Sequence, residues 1–510
     1  MYQDEFFLNL KVSVADQLTI TKRGVTFVTY GKVFFDGVPL RDYIEINKEN
    51  NIMKLISSIS GAGGVAIIDC ENKKIHAACT SHPSKPMLIA LAEQNIIIDI
   101  SFKSLLERIK SVFKFDVNAL SEYIKNSELC CSGDIYSGVK VIQAGEFFTF
   151  DFSLEIISTD YTLTQKSKSN IETELSNLCS ESWPLFDRRE LGLFYSGGFD
   201  STLLLHSLRS KDIEFTAYYK HVDGRGFDYD IEFAKQKCNK LGVKFHTIKE
   251  KLDFDFSSYL TTDYTLPHEV PICNSYSECG RITSGMNKSE IQYISGHGGD
   301  AVFGQNTDGH ALYDAYIDNG LLFFIKKIIH LSKLKGVTLY NIMDSCRGGA
   351  RTKKYTNFPG KNEMLANIYD CIGQSIKMNG NLSNNVIYPI LTDDLIKVFI
   401  SSPSYAHFDK NYDRTLAREF SFRKYNDPDL LAKRKNSSSS ILFHILDKKL
   451  DEIIRITKRR GILDVMKISE PNFTYRVSRL AKVMYHPNDY LMVHKVYQLA
   501  VFMEVNNLSI

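Results

Sequence analysis

Two short stretches combine glycines, hydroxyls and acids in a pattern suited to phosphate chemistry. The first is Ser196-Gly197-Gly198-Phe199-Asp200-Ser201. It follows an apolar run ending at Tyr195 and leads into a helical stretch reaching Ser210. Glycines let the backbone come close to a ligand, and a helix start offers unpaired N–H groups and the positive end of its dipole. The hydroxyls of Ser196 and Ser201 can donate to the same phosphates. Asp200 would repel them unless a Mg²⁺ ion, which favours a few carboxylates plus phosphate oxygens, sits between. The pattern is not a Walker loop, because Gly360-Lys361 is followed by Asn362 and lacks the earlier glycine.

Gly296-His297-Gly298-Gly299-Asp300 repeats the arrangement: strand end, flexible turn, then an acid. Taken alone, each turn could be no more than a capped helix start. In an open α/β sheet, ligands gather at the carboxyl ends of the strands, so the two turns are expected to face one site. Asp200 and Asp300 would then be the Mg²⁺ ligands beside a bound nucleotide. His297 lies between glycines where a nucleotide would sit, and imidazole titrates in the range suited to proton transfer. A third stretch, Lys433-Arg434-Lys435 leading into four serines, reads either as a solvated face or as a basic loop folding over a triphosphate. In the second case Lys435, more than Lys433, would stabilise charge as pyrophosphate leaves.

The elements that must position these residues follow from the hydrophobic pattern. Residues 1–160 are strand-rich: Val25–Tyr30, Gly64–Asp69, Ile75–Cys79 and Glu146–Asp151 are short apolar or alternating runs between turn residues. Helices are expected near Tyr43–Ser60, Ser101–Phe113 and Asn118–Lys125, and 161–172 reads as a polar linker. From there strands and helices alternate, with strands at Glu214–His221, Val243–Lys249 and Ile291–Ser295 and a helix at Asp228–Leu241. That alternation predicts a parallel sheet. Beyond about 310 the pattern is mostly helical.

A chain of 510 residues with a net charge of +2 presents no global field for nucleic acid or acidic membranes. The acidic start, Met1-Tyr2-Gln3-Asp4-Glu5, is unlike a signal peptide, and the apolar run Leu321–Leu331 is interrupted by Lys326-Lys327. The ten cysteines form no Cys-x-x-Cys pair. A reduced, cytoplasmic protein without membrane insertion, nucleic-acid partner or structural zinc is expected.

With both turns in view, the chain resembles the asparagine-synthetase superfamily over most of its length. Ser196–Ser201 is similar to the family's pyrophosphate loop and Ser295–Asp300 to its second Mg²⁺-binding turn. Gly63–Asp69 and Val141–Asp151 are similar to segments of its glutaminase-type domain. The resemblance implies an α/β and α+β protein of two domains. Residues 1–160 would form a β-rich, Ntn-like αββα domain of the glutamine-amidotransferase kind, and 173–510 a parallel-sheet ATP-pyrophosphatase (PP-loop) synthetase domain. It also implies attack of a carboxylate on the α-phosphate of ATP, then amide formation by an amine. Glutamine-using members expose a cysteine after Met1, whereas this chain has Tyr2 and no cysteine before Cys70, so no glutaminase activity is expected. In place of the family's Glu or Tyr base stands His297. Near Tyr388–Leu391, where asparagine synthetases carry a Glu, stand Asn384 and Asn385.

Gly296–Asn306, Tyr313–Tyr316 and Lys433–Leu446 most resemble the lasso-peptide macrolactam synthetases of the microcin type. The implied substrate is a precursor peptide, and the implied partner a leader-cleaving protease. An Asp or Glu side chain would be adenylated and closed onto the peptide's N-terminal amine. In that reading Ser196, Gly197, Gly198, Ser201, Gly296, Gly298 and Gly299 line the nucleotide, Asp200 and Asp300 hold Mg²⁺, and His297 and Lys435 are catalytic. Two rivals remain open: an asparagine- or β-lactam-synthetase-like ligase on a small substrate, and a non-catalytic nucleotide-binding scaffold. A tRNA-modifying enzyme with a similar loop is disfavoured by the missing basic patch.

Overall fold

A computed structural model describes residues 11–12, 18–22, 25–35, 37–46, 52–92, 95–109, 113–125, 135–161, 163, 169–180, 185–186, 190–221, 228–249, 263–270, 291–305, 307–345, 356–381, 386–432, 450–467, 471–475 and 487–508. The chain is a mixed α/β protein that divides into two compact units. One comprises Met1–Thr162, Phe254–Cys273 and Ser438–Ile510, the other Leu163–Asp253 and Asn274–Ser437.

The first unit is built on antiparallel strands. Val25–Phe35, Ile59–Asp69, Lys74–Cys79 and Glu146–Asp151 are neighbours in a seven-stranded sheet. Met87–Ala92 and Asn95–Asp99 belong to a four-stranded one. Alternation places Val28, Ile68 and Ala77 of the larger sheet against Met87, Ile89 and Ile98 of the smaller, in one buried core. The other face of the larger sheet, with Val65 and Ile67, packs on Leu40, Ile44 and Ile56 from helices Leu40–Ile46 and Ile52–Ser57. Helix Phe102–Ile109 packs against the smaller sheet, burying Phe102, Leu105 and Ile109. The layers therefore run helix, sheet, sheet, helix. The helical stretch expected near Tyr43–Ser60 contains helices Leu40–Ile46 and Ile52–Ser57, and it stops short of Ser60 because strand pairing begins at Ile59 opposite Phe35.

Residues 173–510, expected as one domain, do not cluster as one unit. Segments 254–273 and 438–510 group with the antiparallel sheets. The cause is helix Pro487–Val505, which packs on the turn Pro267–Glu269 and on helix Val117–Lys125. Gln498 Nε2 donates to the carbonyls of His268 and Val270, at 3.1 and 2.6 Å, and the buried Lys495 Nζ donates to the Tyr123 carbonyl at 2.6 Å. A buried ammonium and a buried amide need such partners, and they lie in this unit.

The second unit contains a five-stranded parallel sheet. Its order is Lys244–Lys249, Thr216–His221, Glu190–Phe194, Ile291–Ser295, Val386–Ile387. The first strand in sequence, Glu190–Phe194, is central. Helix Phe199–Arg209 follows it and is buried over nearly its whole length, as Leu203, Leu204, Leu205 and Leu208 require. Helix His310–Lys335 bends at Gly320, whose φ of 76° and ψ of −173° break the helical path. Among the described residues no helix is long and apolar enough to cross a membrane.

Candidate functional site

The two glycine turns leave adjacent parallel strands at the same edge. Phe194 pairs with Ser295, so Ser196–Gly198 and Gly296–Gly299 emerge side by side. Their approach is closer than side chains would permit. A Cβ on Gly299 would lie inside contact distance of the Asp200 carboxylate, and one on Gly296 would meet the backbone of Asp200 and Ser201 at 3.1 Å. Glycine at 299 is therefore a packing requirement; at 298 it also serves a φ of +95°, which L side chains rarely adopt.

In the first turn, Gly198 caps helix Phe199–Arg209 without a side-chain bond. Ser201 Oγ lies 3.2 Å from both Ser196 N and Ser196 Oγ, and donates to the Gly198 carbonyl at 3.1 Å. The hydroxyls thus brace the loop, with Ser196 exposed and Ser201 buried. The helix N-terminus and its dipole remain as the anion-binding feature. In the second turn, His297 is half-buried, donates its N–H to Ser295 Oγ at 3.2 Å, and meets the Tyr388 ring edge-to-face at 6.4 Å.

Asp200 and Asp300 converge on one atom. Arg414 Nη1 lies 3.1 and 3.0 Å from the two carboxylate oxygens of Asp200 and 3.0 Å from Oδ1 of Asp300. Its guanidinium stacks 5.1 Å from the Phe199 ring centre, and that of Arg418 lies 4.6 Å from the same ring. Burial works against the charge of Arg414, but Asp200, Asp413 and Asp300 outweigh it and raise its pKa. Arg418 is anchored to the Asp413 carbonyl and carboxylate and to the carbonyls of Leu430 and Ala432. Nothing in the sequence flagged Arg414. It lies 214 residues from Asp200 and 114 from Asp300, outside any short motif.

This arrangement passes the test for a hard divalent cation. Two acids from different strand ends already share one positive charge at hydrogen-bond distance, and the donors are all carboxylate oxygen, the set Mg²⁺ prefers. Beside Asp300 opens a recess lined in part by Thr307, Asp308, Glu363, Asn367 and Ser404. Asp308, His310 and Glu363 each bring one potential ligand atom within 4.8 Å of the others. His310 Nδ1 lies 2.8 Å from Asp308 Oδ2, and this hydrogen bond accounts for the closeness of those two. Lys433, Arg434, Lys435, Asn384 and Asn385 lie outside the described residues.

Comparison with known proteins gives a match along nearly the whole chain. No family model matches the chain. The chain is similar to the microcin J25-processing protein McjC of Escherichia coli, 24% identical over 491 residues, covering 94% of this chain and 93% of McjC. The resemblance drawn from the two turns is thereby borne out at nearly full length. Among solved structures, the U34-tRNA thiolase NcsA from Methanococcus maripaludis with its [4Fe-4S] cluster is matched over 41% of this chain and 77% of its own. That match has 14% identity and a TM-score of 0.19.

Proposed function

We propose that the chain is an ATP- and Mg²⁺-dependent amide-forming ligase acting on a peptide: a lasso-peptide cyclase. The observation that supports this most directly is the convergence of Asp200 and Asp300 on a single cationic point beside the start of helix Phe199–Arg209. A lone helix cap would need neither acid. Full-length similarity to a protein that processes the peptide microcin J25 favours a peptide over a free amino acid as substrate. The fold supports the same reading. Its parallel-sheet unit would be the PP-loop synthetase part, and its helix–sheet–sheet–helix unit a glutaminase-type part without the nucleophile.

In this reading Ser196, Gly197, Gly198 and Ser201 cradle the triphosphate with Gly296, Gly298 and Gly299 facing them, and Lys435 steadies the departing charge. Asp200 and Asp300 would hold Mg²⁺, which when bound neutralises the phosphate oxygens as pyrophosphate departs. A side-chain carboxylate oxygen of the precursor attacks the α-phosphorus, and the bond to pyrophosphate breaks. The peptide's N-terminal nitrogen, freed by a leader-cleaving protease, then attacks the acyl carbon and AMP leaves. An α-amine has a pKa of about 8, so most of it is protonated at neutral pH and must lose a proton first. His297, in the turn that faces the nucleotide, takes that proton. Exclusion of water from the adenylate completes the chemistry.

Two half-reactions separate the roles. His297→Ala is expected to keep ATP–pyrophosphate exchange on the leader-free peptide within a few-fold while slowing macrolactam formation by about 100-fold or more. Equal loss in both steps would rule out the base role of His297. Exchange driven by free aspartate and not by peptide would overturn the peptide-cyclase reading.

A further inference from the structure

Arg414 is among the most deeply buried charged residues of the second unit, with its side chain 5% exposed, whereas the acids it joins are more open, Asp200 at 17% and Asp300 at 32%. A guanidinium beneath two solvent-facing carboxylates is the reverse of a surface ion pair. Its placement is strongly determined. The backbone is left-handed, with φ 55° and ψ 33°, a conformation a non-glycine residue keeps only when its surroundings impose it. Thr415 N donates to the His407 carbonyl at 2.9 Å on one side, and Arg414 Nε reaches Asp413 Oδ1 at 3.4 Å on the other.

Mg²⁺ binds oxygen at about 2.0–2.1 Å. An ion taken up on the face of the carboxylates where Arg414 Nη1 stands, about 3 Å from three of their oxygens, would meet that nitrogen. Two cations cannot share the position. Deprotonation offers no escape, because an arginine side chain stays charged at any working pH. The guanidinium must leave as a cation, and a buried cation moves only if another anion receives it. In the reading of this site as a nucleotide site, on which the inference rests, the triphosphate is that anion.

We infer that Arg414 is a place-holding cation that keeps Asp200 and Asp300 from taking up a divalent ion until nucleotide phosphates arrive to accept its guanidinium. Metal and nucleotide binding are then coupled through one side chain, and such coupling is reciprocal. Arg414 is a positioning residue, acting on the metal through the two acids. A merely structural ion pair makes the opposite prediction, since its loss would disorder the acids and weaken metal binding.

The test uses Mn²⁺ as a spectroscopic stand-in for Mg²⁺, followed by electron paramagnetic resonance on the full chain. Without nucleotide, Arg414→Gln should bind Mn²⁺ about 10-fold or more tightly than the wild type. The double variant D200N/R414Q should lose that gain. With α,β-methylene ATP present, the wild type should take up Mn²⁺ and D200N should not. A melting curve establishes that Arg414→Gln is folded. If it is not, Arg414→Lys carries the test, because the shorter side chain without the guanidinium fork should hold the two acids less firmly and give a smaller rise of the same sign. Unchanged or weaker Mn²⁺ binding in the folded variant overturns the inference while leaving the metal reading intact. If neither wild type nor variant binds Mn²⁺ at Asp200 even with nucleotide, the metal reading itself falls, and this inference with it.

Discussion

Helix Phe199–Arg209 carries an ionic cluster at each end, and the two are built to opposite rules. At its start, Asp200 and Asp300 are partly open to solvent and share one buried cation, Arg414. Near its end, His206 Nε2 lies 2.5 Å from Asp427 Oδ2, and Lys237 pairs with both Asp427 and Asp429, at 2.7 Å for the latter. His206, Asp427 and Lys237 are each no more than 10% exposed. Both clusters are tied together by one stretch of chain, since helix Thr415–Tyr425 runs from Arg414 toward Asp427. The ends are about 16 Å apart at 1.5 Å per residue. The difference separates charges sealed inside the fold from charges open to solvent. A cluster sealed from solvent, in which Asp427 meets both His206 and Lys237, is complete. The acid pair at the start of the helix is instead open to solvent above the buried Arg414.

The largest expected effect lies at the open end. Asp200→Asn or Asp300→Asn should reduce ATP–pyrophosphate exchange by about 1,000-fold or more, the scale of losing a preorganised electrostatic element. The melting temperature should fall less than for a core variant, because Arg414 keeps Asp413 and the remaining acid as partners. A drop in melting temperature equal to that of a core variant would erase the distinction between the two ends.

At the sealed end the balance inverts. Asp427→Ala leaves Lys237 and His206 without their shared acceptor and should cost about 3 kcal/mol in urea unfolding. Exchange per folded molecule should stay within a few-fold of wild type. A variant with unchanged stability but no exchange would place Asp427 in the site instead.

Gly299→Ala sharpens the comparison from the backbone side. The added methyl must push the Asp200 carboxylate aside. Since a misplacement of about 1 Å can cost about 100-fold, exchange should fall by that order. The loss in stability, read from thermal melts, should be smaller than for Asp427→Ala.

The smallest effect is in acid. Burial alone would raise the pKa of Asp427, but hydrogen bonds from His206 and Lys237 outweigh it and hold the carboxyl well below its ordinary value. A depressed carboxyl contributes stability that is complete above the unfolded value of about 4 and is lost as pH falls toward the folded one. The stability gap between wild type and Asp427→Ala should therefore be constant from pH 7 to 5 and narrow below about pH 4. Urea melts at pH 6 and pH 3 read it directly.

Much of this contrast could be read from sequence only at one end. Glycines, hydroxyls and an acid packed into six residues announce Ser196–Ser201, and strand–helix alternation around them predicts the parallel sheet. The strands expected at Glu146–Asp151 and Ile291–Ser295 occur with those bounds. Arg414 was illegible because it reaches the acids through tertiary folding alone, from an unremarkable Tyr412-Asp413-Arg414-Thr415. The sealed cluster was illegible for the same reason: His206 and Asp427 lie 221 residues apart. Helix Pro487–Val505 could not be assigned to the antiparallel unit, since its apolar residues run all round it and carry no address.

The most direct test of the central claim is mass spectrometry of a precursor peptide co-expressed with this chain and a leader-cleaving protease, in parallel with Asp200→Ala. Loss of one water beyond leader removal with the wild type, and its absence with Asp200→Ala, is the predicted result. Water loss that persists in Asp200→Ala, or pyrophosphate exchange with a free amino acid and no peptide product, would contradict it.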